Sequence, residues 1–417
     1  MKRPQKLAID GGEPVLKEPL PPRGLFDKKE KAALDRLVER AIETGAAPGY
    51  NGPEEEAYCK EFAAFLGGGY ADAVNSGTNA VYVALRALEL PPFSEVIIPP
   101  ITDPGGAMPV PLMNCIPIVA DAAPGSYNTG AEQIAARITP RTSAILVAHI
   151  SGEPVDMDPV LKLARRKNLP VVEDCAQAHG ATYRGRMVGT LGTVGAFSTM
   201  FGKHHCTGGQ GGVVFTKSEE LYWKIRRHAD RGKPFGLTAP GNVLAALNMN
   251  LSEIGACIGR VQLAKLPRIV AQRRKVAQKV LDGIKGLSAV YASPAPRGAE
   301  PCYWFLKLSL RLDRLTVSKE QFCKALGAEI KAPISPSYRH IPCEAPWFKE
   351  RRVFGKPGLP WTAPQYKGNP DKPMPTPNAI ATTDASFNIH IHEGHTVSHG
   401  ALIAKAIAKV EAAYLKT

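Results

Sequence analysis

Residues 196–216 read AFSTMFGKHHCTGGQGGVVFT, with one lysine, two adjacent histidines and a cysteine, then glycines leading into an apolar run. Three chemistries compete for such a set: a phosphate loop, a metal cluster, or a lysine used covalently. A P-loop is excluded, because no Ser or Thr follows Lys203 directly. Adjacent histidines on one loop rarely ligate the same ion, which counts against metal at His204 and His205. The stretch NIHIHEGH (388–395) invites a metal too, since His390 and His392 would share a strand face. We expect no metal at either place. A covalent lysine makes its own demand. With an ordinary pKa near 10.4, only about one lysine in two thousand is neutral at pH 7. Burial or neighbouring charge must therefore lower that value. The glycines would leave room for a ligand and for the side chain to swing.

Other candidates sit where strands end. In NSGT (75–78) a short strand gives way to a helix, so the backbone N–H groups of this stretch could hold a phosphate. EDCAQAHG (173–180) closes another strand and offers Asp174 and Gln177. In open α/β sheets, ligands bind outside the carboxyl ends of the strands. One small site could then collect these residues with Lys203. Each also has a plainer use: SGT as an N-cap, a strand-end Asp as another cap, and a lysine as solvated surface.

Elements to position them are legible. YADAVN (70–75), EVIIPP (95–100), IPIVADA (116–122), SAILVAHI (143–150), LPVVEDCA (169–176) and GGVVFT (211–216) are apolar runs of strand length. TNAVYVALRALEL (78–90) and DPVLKLARRKN (158–168) have helical spacing. Continuous apolar strands separated by helices indicate a mainly parallel sheet covered on both faces. We expect a large α/β domain over residues 1–250. A linking helix (251–284) and a smaller α+β domain would fill 251–417, with a strand at 302–312 and a final helix at 400–415. Residues 342–378 are rich in Pro, Lys and Trp and lack periodicity; just after Tyr338 and His340, they are expected to help cover the site.

Composition narrows the classes. Hydrophobic residues at 44% and charged residues at 22% are ordinary for a folded chain of 417 residues. The net charge of +14 is spread along helix-like segments such as ARRK (164–167), without the aromatic interleaving of a nucleic-acid platform. It suits anionic small substrates as well. No apolar run approaches the roughly 20 residues of a membrane helix, and MKRPQKLAIDGGEP does not read as a signal peptide. Eight scattered cysteines without a CxxC pair fit a reducing cytoplasm.

The ordered set of motifs resembles the DegT/DnrJ/EryC1/StrS family of pyridoxal-phosphate (PLP) sugar aminotransferases. It is carried by LAIDGGEPV, NSGTNAVYVALRAL, EVIIPPIT, ITPRTSAILVAHISGEPVDM, VVEDCAQAHGATYRGRMVGTLG, NMNLSEIGACIGRVQLAKL and IHEGHT, which span almost the whole chain. The opening is similar to the branch with amino-hydroxybenzoate synthase and scyllo-inosose aminotransferases. The resemblance implies the aspartate-aminotransferase type I fold and PLP as cofactor. Lys203 would form the Schiff base, Asp174 would pair with the pyridinium nitrogen, and Gln177 would contact the ring hydroxyl. Gly77, Thr78 and Ser198 would hold the phosphate, joined by Asn248 from a neighbouring subunit of a homodimer. The implied reaction moves an amino group from glutamate or glutamine to a keto sugar, nucleotide-linked keto sugar or ketocyclitol.

Four departures keep alternatives open. Asp103 stands where the family usually stacks an aromatic on the ring. The lysine loop is one residue longer than usual, so aligning from the glycines puts His204 in the lysine's place, as in PLP-dependent keto-sugar 3-dehydratases. Gln210 replaces a common glutamate, and Asn250 a common arginine. Dehydration through His204, or a non-catalytic sensor or scaffold, are the competing readings.

Overall fold

The computed structural model describes residues 6–416; Met1–Gln5, the start of the basic opening stretch, lie outside the described residues, as does Thr417. The apolar runs form one seven-stranded sheet. Its strands are β1 (Tyr70–Val74), β2 (Glu95–Ile98), β3 (Ile116–Val119), β4 (Thr142–Ala148), β5 (Val171–Asp174), β6 (Val194–Ser198) and β7 (Gly212–Thr216). They lie in the order β1-β7-β6-β5-β4-β2-β3, and β7 alone runs against its neighbours. Burial on both faces is why these strands read as continuous apolar runs. Val96, Ile98 and Leu146 pack into one face, while Ile97, Ile145 and Val147 pack into the other. A search for apolar runs passes over β6, because Gly195 interrupts it. That glycine is required: a Cβ there would stand 2.4 Å from the Gly189 carbonyl oxygen.

The principal helices are α1 (Lys28–Thr44), α2 (Pro53–Phe65), α3 (Gly77–Ala87), α4 (Met157–Lys167), α5 (Glu219–Ala229), α6 (Glu253–Gly283), α7 (Lys319–Ile330) and α8 (Val397–Tyr414). The first part of α6 packs on α2, and its last turns pack on α8. A second sheet pairs β8 (Val290–Tyr291), β9 (Phe305–Leu310) and β10 (Ser386–His390) antiparallel. Its apolar side joins Phe322, Phe387 and Val276, and also Leu7 and Leu16 from the start of the chain.

The segment 342–378 is not a cover for the site. Phe348, Trp361 and Tyr366 pack against the sheet face that holds Val96 and Ile98, and the Tyr366 hydroxyl donates to Glu95 at 3.0 Å. Met374 Sδ accepts the Val119 N–H of edge strand β3 at 3.2 Å. The Trp and Tyr side chains have an apolar face to bury and the sheet has an edge to shield, so the segment is drawn there.

Buried imidazoles set the response to acid. Burial pushes His179, His228 and His392 down to about 4 and His395 to about 3, and holds His204 and His205 well below the ordinary value. Such groups are neutral when folded and bind protons on unfolding below pH 6.5, so stability falls as pH drops from 6.5 towards 4. Buried carboxyls act oppositely. Glu55, pushed up to about 8 by burial, and Asp72, pushed to about 6, favour the folded state as pH falls through those values. The imidazoles outnumber them. The denaturant midpoint should therefore fall between pH 6.5 and 4.5, and a flat or rising midpoint would contradict this balance.

Candidate active site

One cavity of about 220 Å³ lies at the carboxyl ends of the parallel strands. β1 delivers Ser76, Gly77 and Thr78; β2 is followed by Thr102, Asp103, Gly105 and Gly106; β4 delivers His149; β5 delivers Asp174 and Gln177; and β6 delivers Ser198 and Lys203. Gln210 completes that wall from the far side of the lysine loop. The chain thus brings together Gly77, Thr78, Asp174, Gln177, Ser198, Lys203 and Asp103.

At one end, Ser76 caps α3 by accepting the Asn79 N–H at 3.1 Å. The N–H groups of Gly77 and Thr78 occupy the first turn, where a helix has no acceptor of its own. Ser198 closes on that turn. A Cβ on Gly77 would lie 2.4 Å from Ser198 Cβ and 3.0 Å from its Cα, so the approach is open only to glycine. A helix N-terminus with an adjoining hydroxyl suits a bound phosphate.

At the other end, Lys203 is 7% exposed and its Nζ lies 4.4 Å from the centre of the Trp304 ring. Burial pulls its pKa down from the usual lysine range, against the opposing pull of Asp174 and Asp103. Asp174 is also buried. Burial raises its pKa, and the Ala176 N–H (2.9 Å) and Lys203 partly offset this. Gly106 closes over it, for a Cβ there would stand 2.8 Å from Asp174 Oδ2. Burial thus disfavours the charged form of both groups, while each charge favours the other. Gln177 is fixed at both ends: its Oε1 accepts the Ser151 N–H at 2.8 Å, and its Nε2 donates to the Tyr338 hydroxyl at 2.6 Å.

Two expected residues lie elsewhere. His204 does not line the cavity; its ring is fully buried and its Nε2 sits 3.2 Å from the Cys302 carbonyl oxygen. The longer loop therefore turns Lys203, not His204, toward the strand ends. Asn248 is exposed and does not line its own chain's cavity; its Oδ1 accepts from Asn250 Nδ2 at 2.7 Å. Reading the sequence for motifs missed His149, which lines the cavity. Its Nδ1 accepts the Val155 N–H at 3.0 Å, so Nε2 carries the proton that faces Glu173 at 3.0 Å. Glu173 also accepts from the N–H groups of Gly189, Leu191 and Gly192. A histidine ending the run SAILVAHI was the available signal.

The DegT/DnrJ/EryC1/StrS aminotransferase family model matches residues 28–367. The chain belongs to that family. It is an aminotransferase, and its cofactor is PLP. The GDP-perosamine synthase of Caulobacter vibrioides is 34% identical over 68% of this chain and 78% of that protein. The L-glutamine:2-deoxy-scyllo-inosose aminotransferase of Streptoalloteichus tenebrarius is 33% identical over 80% of this chain and 81% of its own. Among solved structures, S. venezuelae DesV in complex with a ketimine intermediate superposes with a TM-score of 0.76 at 26% identity, covering 95% of this chain and 99% of that one.

The Gly77–Ser198 contact gives this subsection its test. Gly77→Ala should cost about 1–3 kcal/mol through overpacking and weaken PLP binding at least about tenfold, read by thermal melts and equilibrium dialysis. Binding equal to wild type would show that this close approach is not needed.

Proposed function

We propose that this aminotransferase moves an amino group from glutamate or glutamine to a keto sugar, nucleotide-linked keto sugar or ketocyclitol, with Lys203 as its covalent and proton-transferring residue. The observation that carries the reading is the buried Lys203 amine, facing Asp174 in a cavity whose other end is a helix N-terminus. The names of the relatives support the acceptor class: one is a perosamine synthase and another acts on deoxy-scyllo-inosose.

The residues present fit the cofactor. The Gly77 and Thr78 N–H groups and the Ser198 hydroxyl would hold its phosphate, Asp174 its ring nitrogen, Gln177 its ring hydroxyl and Lys203 its aldehyde carbon. When bound, PLP supplies an electron sink for the carbon whose proton is removed. The chain's own work is then to hold, exclude and transfer. Desolvation shifts Lys203 toward its neutral form, and as an amine it would take the proton from one carbon and return it to another. Asp174, kept dry, would place a charge where the ring nitrogen lies. The Tyr338–Gln177–Ser151 chain of hydrogen bonds keeps the glutamine from turning.

Dehydration through His204 has no support in the geometry, because that ring points into the core. A non-catalytic role leaves the buried lysine and aspartate without a purpose. We further propose a homodimer in which Asn248 of one copy completes the cavity of the other. Phe201, two residues before Lys203, is 66% exposed and Leu247, beside Asn248, is 65% exposed. These apolar side chains favour a covered surface. No helix among the described residues is long and apolar enough to cross a membrane. All eight cysteines are free, which supports placement in the cytoplasm.

Borohydride reduction of the PLP-treated protein, followed by peptide mass spectrometry, should place a pyridoxyl group on Lys203. Incubation with glutamate or glutamine before reduction should remove that label by converting PLP to its amine form. PLP that binds without being fixed at Lys203 would overturn the lysine assignment. A label that no amino donor removes would overturn the transferase reading. Light scattering should give twice the chain mass; a monomer with full activity would exclude the shared site.

A further inference from the structure

The lysine loop leaves its own backbone unfinished at the tip. Its base is closed on itself, with the Thr199 N–H on the Gly211 carbonyl (2.8 Å), the Phe201 N–H on Gly209 (2.9 Å) and the Thr207 N–H on Thr199 (3.0 Å). The carbonyls of Phe201, Gly202 and Lys203 have no acceptor role within the loop. Each takes a donor from outside it: Arg23 Nη1 reaches Phe201 at 3.3 Å, Trp304 Nε1 reaches Gly202 at 3.2 Å, and Arg23 Nη2 reaches Lys203 at 2.7 Å. Among the described residues no other hydrogen bond reaches these three oxygens.

Arg23 is in turn held in place. Its Nε donates to Glu393 Oε1 at 2.7 Å, and the other oxygen of Glu393 accepts from Arg273 Nη2 at 2.8 Å. Arg273 lies within α6 with its side chain 2% exposed, and its Nη1 holds the Tyr303 carbonyl at 3.1 Å. That bond anchors the backbone just before Trp304, whose ring flanks the Lys203 amine. Burial opposes ionisation of Glu393, but Arg273 and Arg23 together keep it below the usual carboxylate range. Three distant parts of the chain thus converge on one short loop. Arg23 and Glu393 both lie outside the residues that the family model matches, 28–367.

We propose that Arg23, braced by Glu393 and Arg273, is a positioning residue that fixes the backbone of the lysine loop so that the Lys203 side chain turns about a stationary point. The proposal rests on Lys203 being the point of attachment of PLP. A guanidinium is suited to the task because its rigid fork grips two carbonyls at once, whereas an ammonium is a point charge. Without the fork, Phe201 and Lys203 lose their partners and the amine is no longer held against the cofactor's aldehyde. A displacement of about 1 Å at a reacting group can cost about a hundredfold in rate.

The test is the rate at which apoprotein attaches added PLP, followed by quenching with borohydride at intervals and counting pyridoxyl-Lys203 by mass spectrometry. Wild type, Arg23→Ala, Arg23→Lys and Arg311→Ala are compared, the last removing a surface guanidinium from the Ser288 carbonyl (2.8 Å) far from the loop. Total PLP bound and the melting temperature are measured alongside. Arg23→Ala should attach PLP at least about tenfold more slowly while its melting temperature stays within about 3 °C of wild type. Arg23→Lys should fall between the two, and Arg311→Ala should match wild type. A wild-type rate in Arg23→Ala, or equal slowing in Arg23→Ala and Arg311→Ala, would overturn the proposal. Should Arg23→Ala fail to fold, Arg23→Lys decides: slower attachment supports the clamp and a wild-type rate overturns it. A wild type never fixed at Lys203 overturns both readings, whereas a fixed wild type with unaltered Arg23 variants overturns the clamp alone.

Discussion

A lysine amine is useful as a nucleophile only if it is kept dry, and the burial of Lys203 is the constraint around which the site is arranged. Desolvation favours the neutral amine, while the nearby carboxyls of Asp174 and Asp103 favour the ammonium. Burial and the carboxylates thus act in opposite directions on the same group. The same burial makes the loop costly to build. At its tip, Arg23 and Trp304 supply donors to its carbonyls from elsewhere in the fold. Glycines supply the remaining room, as at Gly106 over Asp174 and at Gly77 against Ser198.

Much of this was legible in the sequence because the relevant signals are local. β-branched runs that must be buried on both faces announce a parallel sheet, and small polar residues just after them announce its ligand-binding end. Gly77, Thr78, Asp174, Gln177 and Lys203 could be found that way, and the structure gathers them at one cavity. The choice between Lys203 and His204 was not local. Two neighbours on one loop point in different directions, and which faces the cavity depends on where Cys302 offers a carbonyl to the imidazole.

Contacts over long chain separations left no mark. Arg23 stands 180 positions from Lys203 and 370 from Glu393, and nothing in PPRG or IHEGH reveals that they meet. His149 is similar: it ends a strand as any polar residue could, and its role shows only when Glu173 and the Val155 N–H fix its tautomer. The segment 342–378 misled for a related reason. A stretch without periodicity carries no information about which surface it covers, and here the exposed edge of β3 and the face beside it claimed its aromatic side chains.

The residues that face the cavity divide by what holds them. Asp174, Gln177 and His149 each have a hydrogen-bond partner that fixes the side chain, and Gly77 and Ser198 are fixed by contact with one another. Asp103 is held as Asp174 is, its Oδ1 accepting the Gly105 N–H at 3.0 Å, but it is exposed, and its charge acts on Lys203. An exposed side chain can be exchanged without disturbing the strands beneath it, whereas exchanging the buried Asp174, or Gly77 where it meets Ser198, would disturb the packing of β5 or α3. Relatives about one-third identical to this chain bear the names of different sugar and cyclitol reactions. A fold that fixes the buried part of its cavity in the sheet and leaves its rim lightly restrained permits that divergence, because a change at the rim costs little stability.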